Sequence, residues 1–114
     1  MEGSRSLKRR HLVYYLEVFD NESDELLGKL VDITTRGIKL VSKSKIPINK
    51  MFSIRMILPE GYFRNQELRF DMKSIWSSND VNPDFYDTGF EVANLKRDER
   101  KMIRRLIDLV GFND

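Results

Sequence analysis

Cysteine is absent from this chain of 114 residues, and histidine occurs once, at His11. Without thiols there is neither a disulfide framework nor a thiolate zinc site, so the fold must stand on packing alone. A single histidine leaves almost no material for a nucleophile–base relay or a histidine-rich metal centre, and no enzymatic role or cofactor is expected. No apolar run approaches the roughly eighteen residues of a membrane span, and the first ten residues are polar and basic where a secretory signal is apolar. A soluble, cytoplasmic protein without membrane insertion is the expectation. An excess of one charge is missing too: 20 basic residues face 18 acidic ones, for a net charge of +2. Such charges mostly cancel at long range, so nucleic acid is not an expected partner and local clustering matters more than the sum.

The length and an apolar fraction of 40% suit one domain with one core, spanning 1–114. Residues 11–20 are rich in aromatic and β-branched side chains, with Leu12, Tyr14, Leu16 and Val18 on one face and Val13, Tyr15 and Glu17 on the other. After a turn at Asn21–Asp24, residues 25–34 resume an extended pattern and complete an antiparallel hairpin, with Gly28 marking a bulge or bend. A calcium loop over residues 20–25 is ruled out because the glycine at its sixth position is absent. Further strands are predicted over 38–41, 51–58, 67–77 and 84–93; in the fourth, Phe52, Ile54, Met56 and Leu58 share one face. Trp76 and the Tyr14–Tyr15 pair read as core packing residues.

From Leu95 the period changes from two to 3.6, as Met102, Ile103, Leu106, Ile107 and Val110 fall at helical spacing. Asn94 is the expected N-cap and Gly111 the expected C′ residue, with Phe112 folding back on Ile107. The chain thus divides into a basic arm (1–10), a barrel (11–93) and a C-terminal helix (94–112). Six evenly spaced strands and one helix imply an all-β fold with one C-terminal helix, a six-stranded antiparallel β-barrel whose closure removes exposed edges.

Two segments carry candidate chemistry. Arg5, Lys8, Arg9 and Arg10 place four cations within six positions just before the first strand. Asp32, Thr34, Arg36 and Gly37 sit between the second and third strands, where the aspartate and threonine side chains can bond the turn backbone and the glycine can supply a positive φ.

Arg5-x-x-x-Arg9 before a strand, followed by Asp32-x-Thr34-x-x-Gly37, resembles the RxxxR and (D/N)xSxxG motifs of PilZ domains. Trp76 late in strand five and Gly89-Phe90-Glu91 ending strand six before a helix are similar to that family too, so the likeness covers nearly the whole chain. It implies a barrel of PilZ type and, as in many members, binding of the bacterial second messenger cyclic di-GMP. Arg5, Arg9 and Arg10 would then clamp phosphates and fork onto or stack on guanine. Asp32 would accept from a guanine N–H edge, the Thr34 hydroxyl would meet a further polar atom, and Gly37 would admit close approach. Thr34 replaces the family's usual serine, and Arg36 stands where a small residue is common. A receptor of this kind would signal by conformational change to an effector protein.

A second register is open. If Lys8-Arg9-Arg10 takes the family's arginine position, the second arginine would fall at Val13 or Tyr14. The chain would then be a protein-interaction adaptor that binds no nucleotide, with Arg97, Arg100, Lys101, Arg104 and Arg105 of the helix available to an acidic partner.

Overall fold

The computed structural model describes residues 15–110. Six strands form in chain order: β1 (Glu17–Asp20), β2 (Leu26–Ile33), β3 (Gly37–Ser42), β4 (Met51–Ile57), β5 (Glu67–Asn79) and β6 (Tyr86–Ala93); the helix α1 (Arg97–Val110) follows. The strands close in the order β1-β2-β3-β6-β5-β4, and every pairing is antiparallel. This is the expected barrel with its C-terminal helix. Residues 11–14, expected in the first strand, lie outside the described residues, and β1 begins only at Glu17.

Period-two patterning builds the interior. Leu16 and Val18, Ile38 and Leu40, the predicted Phe52/Ile54/Met56/Leu58 set, and Leu68, Phe70 and Met72 all point inward and are buried, as are Leu30 and Ile33 on either side of an irregularity in β2. Phe52 and Phe90 meet edge to face at 6.0 Å across the lumen, the arrangement that the ring quadrupoles favour. Ile103, Leu106 and Ile107 of α1 join the same core, so the helix contributes its apolar stripe to the barrel interior.

Two buried serine contacts secure irregular backbone. The Ser74 hydroxyl, fully buried, donates to the Pro47 carbonyl at 2.6 Å and accepts from the Lys50 N–H at 3.2 Å, tying the β3–β4 loop to β5. Ser42 donates to the Ser44 carbonyl at 2.7 Å.

Bulges decide where the sheet departs from simple alternation. Leu27, beside Gly28, is the extra residue opposite β1, as the glycine suggested. Val31 is extra opposite β3, and Ile75 is extra opposite β6. The last of these corrects the reading of Trp76. Counting by two from Met72 and Ser74 sends Trp76 inward, but the bulge at Ile75 turns it outward, where it is 43% exposed. Tyr15 is also exposed rather than packed, at 57%, and holds a positive φ of 50°; Tyr14 lies outside the described residues.

The helix start differs from expectation as well. Asn94 takes a left-handed φ of 55° and donates its amide to Asp71 at 3.3 Å, so it turns the chain and does not cap. Lys96 occupies the N-cap position, its N–H donating to Glu99 Oε1 at 3.0 Å, which is the back-bond half of a capping box. The expected C-terminal contacts of Gly111 and Phe112 lie outside the described residues.

Candidate functional site

The turn between β2 and β3 is built by its own side chains. Asp32 Oδ1 accepts the Ile33 N–H at 2.9 Å, and Thr34 Oγ1 accepts the N–H groups of Arg36 and Gly37 at 3.2 Å each. The Thr34 N–H donates to the Gly37 carbonyl at 2.9 Å and closes the turn. Asp32, Thr34 and Arg36 are all solvent-exposed. The Thr34 hydroxyl therefore has a structural occupation here, as a side-chain-to-backbone knot of the kind serine and threonine form in turns.

Gly37 serves a different purpose from the one its turn position suggested. Among the described glycines only Gly61 has a positive φ. At Gly37 a Cβ would come within 2.5 Å of the Phe90 carbonyl oxygen, so the missing side chain lets β3 lie close against β6. The Arg36 carbonyl extends this junction by accepting the Val92 N–H at 2.9 Å. Close strand approach, not unusual φ, explains the glycine.

The register then carries the motif across four strands. Asp32 pairs with Lys39, Lys39 with Gly89, and Gly89 with Trp76, forming one continuous row on the outer face of β2-β3-β6-β5. Three interstrand steps make this row roughly 14 Å long. Gly89 has no side chain to interrupt it, and Trp76 lies directly over it: a Cβ there would meet the indole Nε1 at 2.1 Å. The result is a carboxylate at one end, an aromatic plate over glycine at the other and an ammonium between them.

The neighbouring row runs Lys29, Val41, Asp87 and Ser78. Burial first, then hydrogen bonding and repulsion from Asp80, raises the Asp87 carboxyl above its ordinary value of 3.8, while Lys39 opposes the shift. A hollow of about 490 Å³ opens beside this row, lined by Leu27, Gly28, Lys29, Val41, Ser42 and Phe85 among others. A larger hollow, about 630 Å³, lies at Asn65–Arg69 and the start of α1 and includes none of the motif residues. Among the described residues no cluster of three or more metal-ligating side chains occurs.

Of the candidate residues, the structure brings Asp32, Thr34, Arg36 and Gly37 to one turn; Arg5, Arg9 and Arg10 lie outside the described residues. Sequence reasoning missed Trp76 and Lys39 as members of this face. Lys39 was available from alternation, since its neighbours Ile38 and Leu40 both point inward. Trp76 was hidden by the bulge, and the sole hint was a bulky Ile75-Trp76 doublet facing a glycine-bearing strand.

No family model matches the sequence, and no curated protein matches it. Solved structures do resemble the fold. The Bacillus subtilis inhibitor of motility MotI/DgrA superposes with a TM-score of 0.68 at 14% identity, over 87% of this chain and 46% of that one. The PilZ domain of Escherichia coli YcgR with c-di-GMP gives 0.64 at 14% identity, over 84% and 82%. PlzA of Borreliella burgdorferi, in complex with c-di-GMP, gives 0.57 at 16%, over 93% and 49%. The chain spans about half the length of MotI/DgrA, and the fold is PilZ-like.

Proposed function

We propose that this chain is a non-enzymatic, cytoplasmic receptor domain for cyclic di-GMP, one domain over 1–114 whose basic arm (1–10) closes on the outer sheet face. The row from Asp32 to Trp76 is the observation that carries the reading. Asp32 provides a carboxylate for a guanine N–H edge, and Trp76 offers an exposed plate for a purine ring. Lys39 lies between them as a cation for a phosphate. Two of the structures with the same fold are complexes with this dinucleotide. Arg5, Arg9 and Arg10 supply the remaining phosphate and base contacts, with Arg36 adding positive charge at the turn. Thr34 and Gly37 hold the turn that presents Asp32. Ordering of the arm over the ligand passes the signal to an effector protein, at the expense of some affinity.

Calorimetric titration of the dinucleotide at low salt tests this reading. Saturable binding is expected, and Arg9→Ala or Asp32→Ala should each weaken it by at least about tenfold, since a charge-assisted hydrogen bond contributes roughly 1.5–3 kcal/mol. Absence of binding at high micromolar ligand, with the melting curve intact, rejects the receptor reading in favour of a PilZ-like adaptor that works through protein contacts alone.

A further inference from the structure

The side of α1 away from the core carries Arg97, Arg100, Lys101 and Arg104, all exposed and together lining a shallow hollow of about 360 Å³. Their spacing of i, i+3, i+4 and i+7 puts four like charges on one helical face. Arg97/Lys101 and Arg100/Arg104 are i,i+4 neighbours, and Arg97/Arg100 and Lys101/Arg104 are i,i+3 neighbours; every one of these pairs repels and weakens the helix. Arg97 and Arg100 lie in the first turn, where the positive end of the helix macrodipole disfavours cations and Asp98 and Glu99 complement it, while the last turn holds no basic residue to complement the negative end. Arg105 is separate, stacked over the Phe63 ring at 5.3 Å. The four repelling pairs oppose the stability of the helix that displays them, against the support of Asp98 beside Lys101 at i,i+3 and Asp108 beside Arg104 at i,i+4.

We propose that this stripe docks an acidic helical segment of a partner protein whose carboxylates repeat at the same spacing. Arginine forks fit carboxylates bidentately, and the stripe spans eight residues, roughly 10 Å of helix from first to last. Four residues beyond Arg104 on the same line stands Asp108, exposed, so the positive track ends on a negative charge. A phosphate backbone or an anionic bilayer would continue past that point and be repelled. The stripe also holds no aromatic side chain to stack on bases and no apolar one to enter lipid. A helix bearing carboxylates followed by a lysine satisfies both signs. The proposal is independent of whether the sheet face binds a nucleotide.

The test uses the full chain and a synthetic helical peptide with glutamates at i, i+3, i+4 and i+7 and a lysine at i+11. Controls are a peptide of the same composition with its glutamates spread around the helix, a random-sequence DNA duplex, and phosphatidylserine-containing vesicles. The patterned peptide should bind about tenfold tighter than its scrambled counterpart. Arg100→Glu with Arg104→Glu should remove that advantage while the melting temperature stays level, because the Arg97/Arg100 and Lys101/Arg104 pairs become attractive as Arg104 loses its i,i+4 pairing with Asp108. Lys101→Glu alone, read the same way, replaces the double variant should the latter not fold. Equal binding of the two peptides, duplex or vesicle binding as tight as the patterned peptide's, or unchanged peptide binding by a folded charge-reversed variant overturns the proposal.

Discussion

The outer face of β2-β3-β6-β5 and the outer stripe of α1 both present charge to solvent, and they do so by opposite rules. On the sheet face signs alternate between neighbours: Asp32 pairs with Lys39, and Lys73 with Glu91. On the helix, four neighbouring positions hold one sign, from Arg97 to Arg104. The sheet face is thus balanced electrostatically and distinguished by shape, since Gly37 and Gly89 remove side chains where strands and an indole must approach. The helix stripe has no special shape and is distinguished by its field. Recognition through shape depends on missing atoms, whereas recognition through field depends on charges that salt screens over about 10 Å at moderate ionic strength.

That contrast can be broken most directly at Gly37. A Cβ there meets the Phe90 carbonyl, a backbone atom that cannot swing aside, so Gly37→Ala should destabilise the barrel by on the order of 2 kcal/mol, the scale of overpacking. Chemical denaturation measures this, and an unchanged midpoint would mean that β3 and β6 separate without penalty. Gly89→Ala should behave differently, because the atom in the way belongs to the Trp76 side chain. The indole can rotate off, leaving stability nearly intact but lowering affinity for the dinucleotide by about tenfold, or about 1.4 kcal/mol. Tryptophan fluorescence would report the displaced indole, and full affinity with a displaced indole would remove Trp76 from the proposed site.

The smallest effect is expected at Asp87. Its carboxyl is raised in the folded protein, so its contribution to stability is fully present below the ordinary value of 3.8 and is lost as pH rises through the folded value. Asp87→Asn has no carboxyl to ionise. Its melting temperature should therefore gain on the parent as pH rises from strongly acidic toward neutral. A difference independent of pH would show that Asp87 titrates as it does in the unfolded chain.

Legibility from the sequence followed the physics of each element. The strands of the barrel showed themselves because inward positions such as Phe52, Ile54 and Met56 obey strict alternation, and the helix because Ile103, Leu106 and Ile107 obey a period of 3.6. Gly28 announced its bulge. The bulge at Ile75 did not announce itself, since no glycine marks it, and one extra residue reverses every facing beyond it. Trp76 was therefore read on the wrong side. Asn94 was read as a cap from residue type alone, whereas the capping bond comes from Glu99 and the helix begins at Arg97, two residues beyond the first apolar residue, Leu95.

The amino-acid sequence by itself determined the number and order of strands, the single helix, the apolar stripe that joins the core and the two polar motifs, because each depends on periodicity or residue chemistry within one short segment. The tertiary structure alone decided that Asp32, Lys39, Gly89 and Trp76 stand in one row. Register between strands distant in sequence is a property of closure and of bulges, and no local pattern encodes it. It likewise decided that Gly37 is needed for the approach of β6 and not for its own φ, since the atom it must avoid lies on another strand.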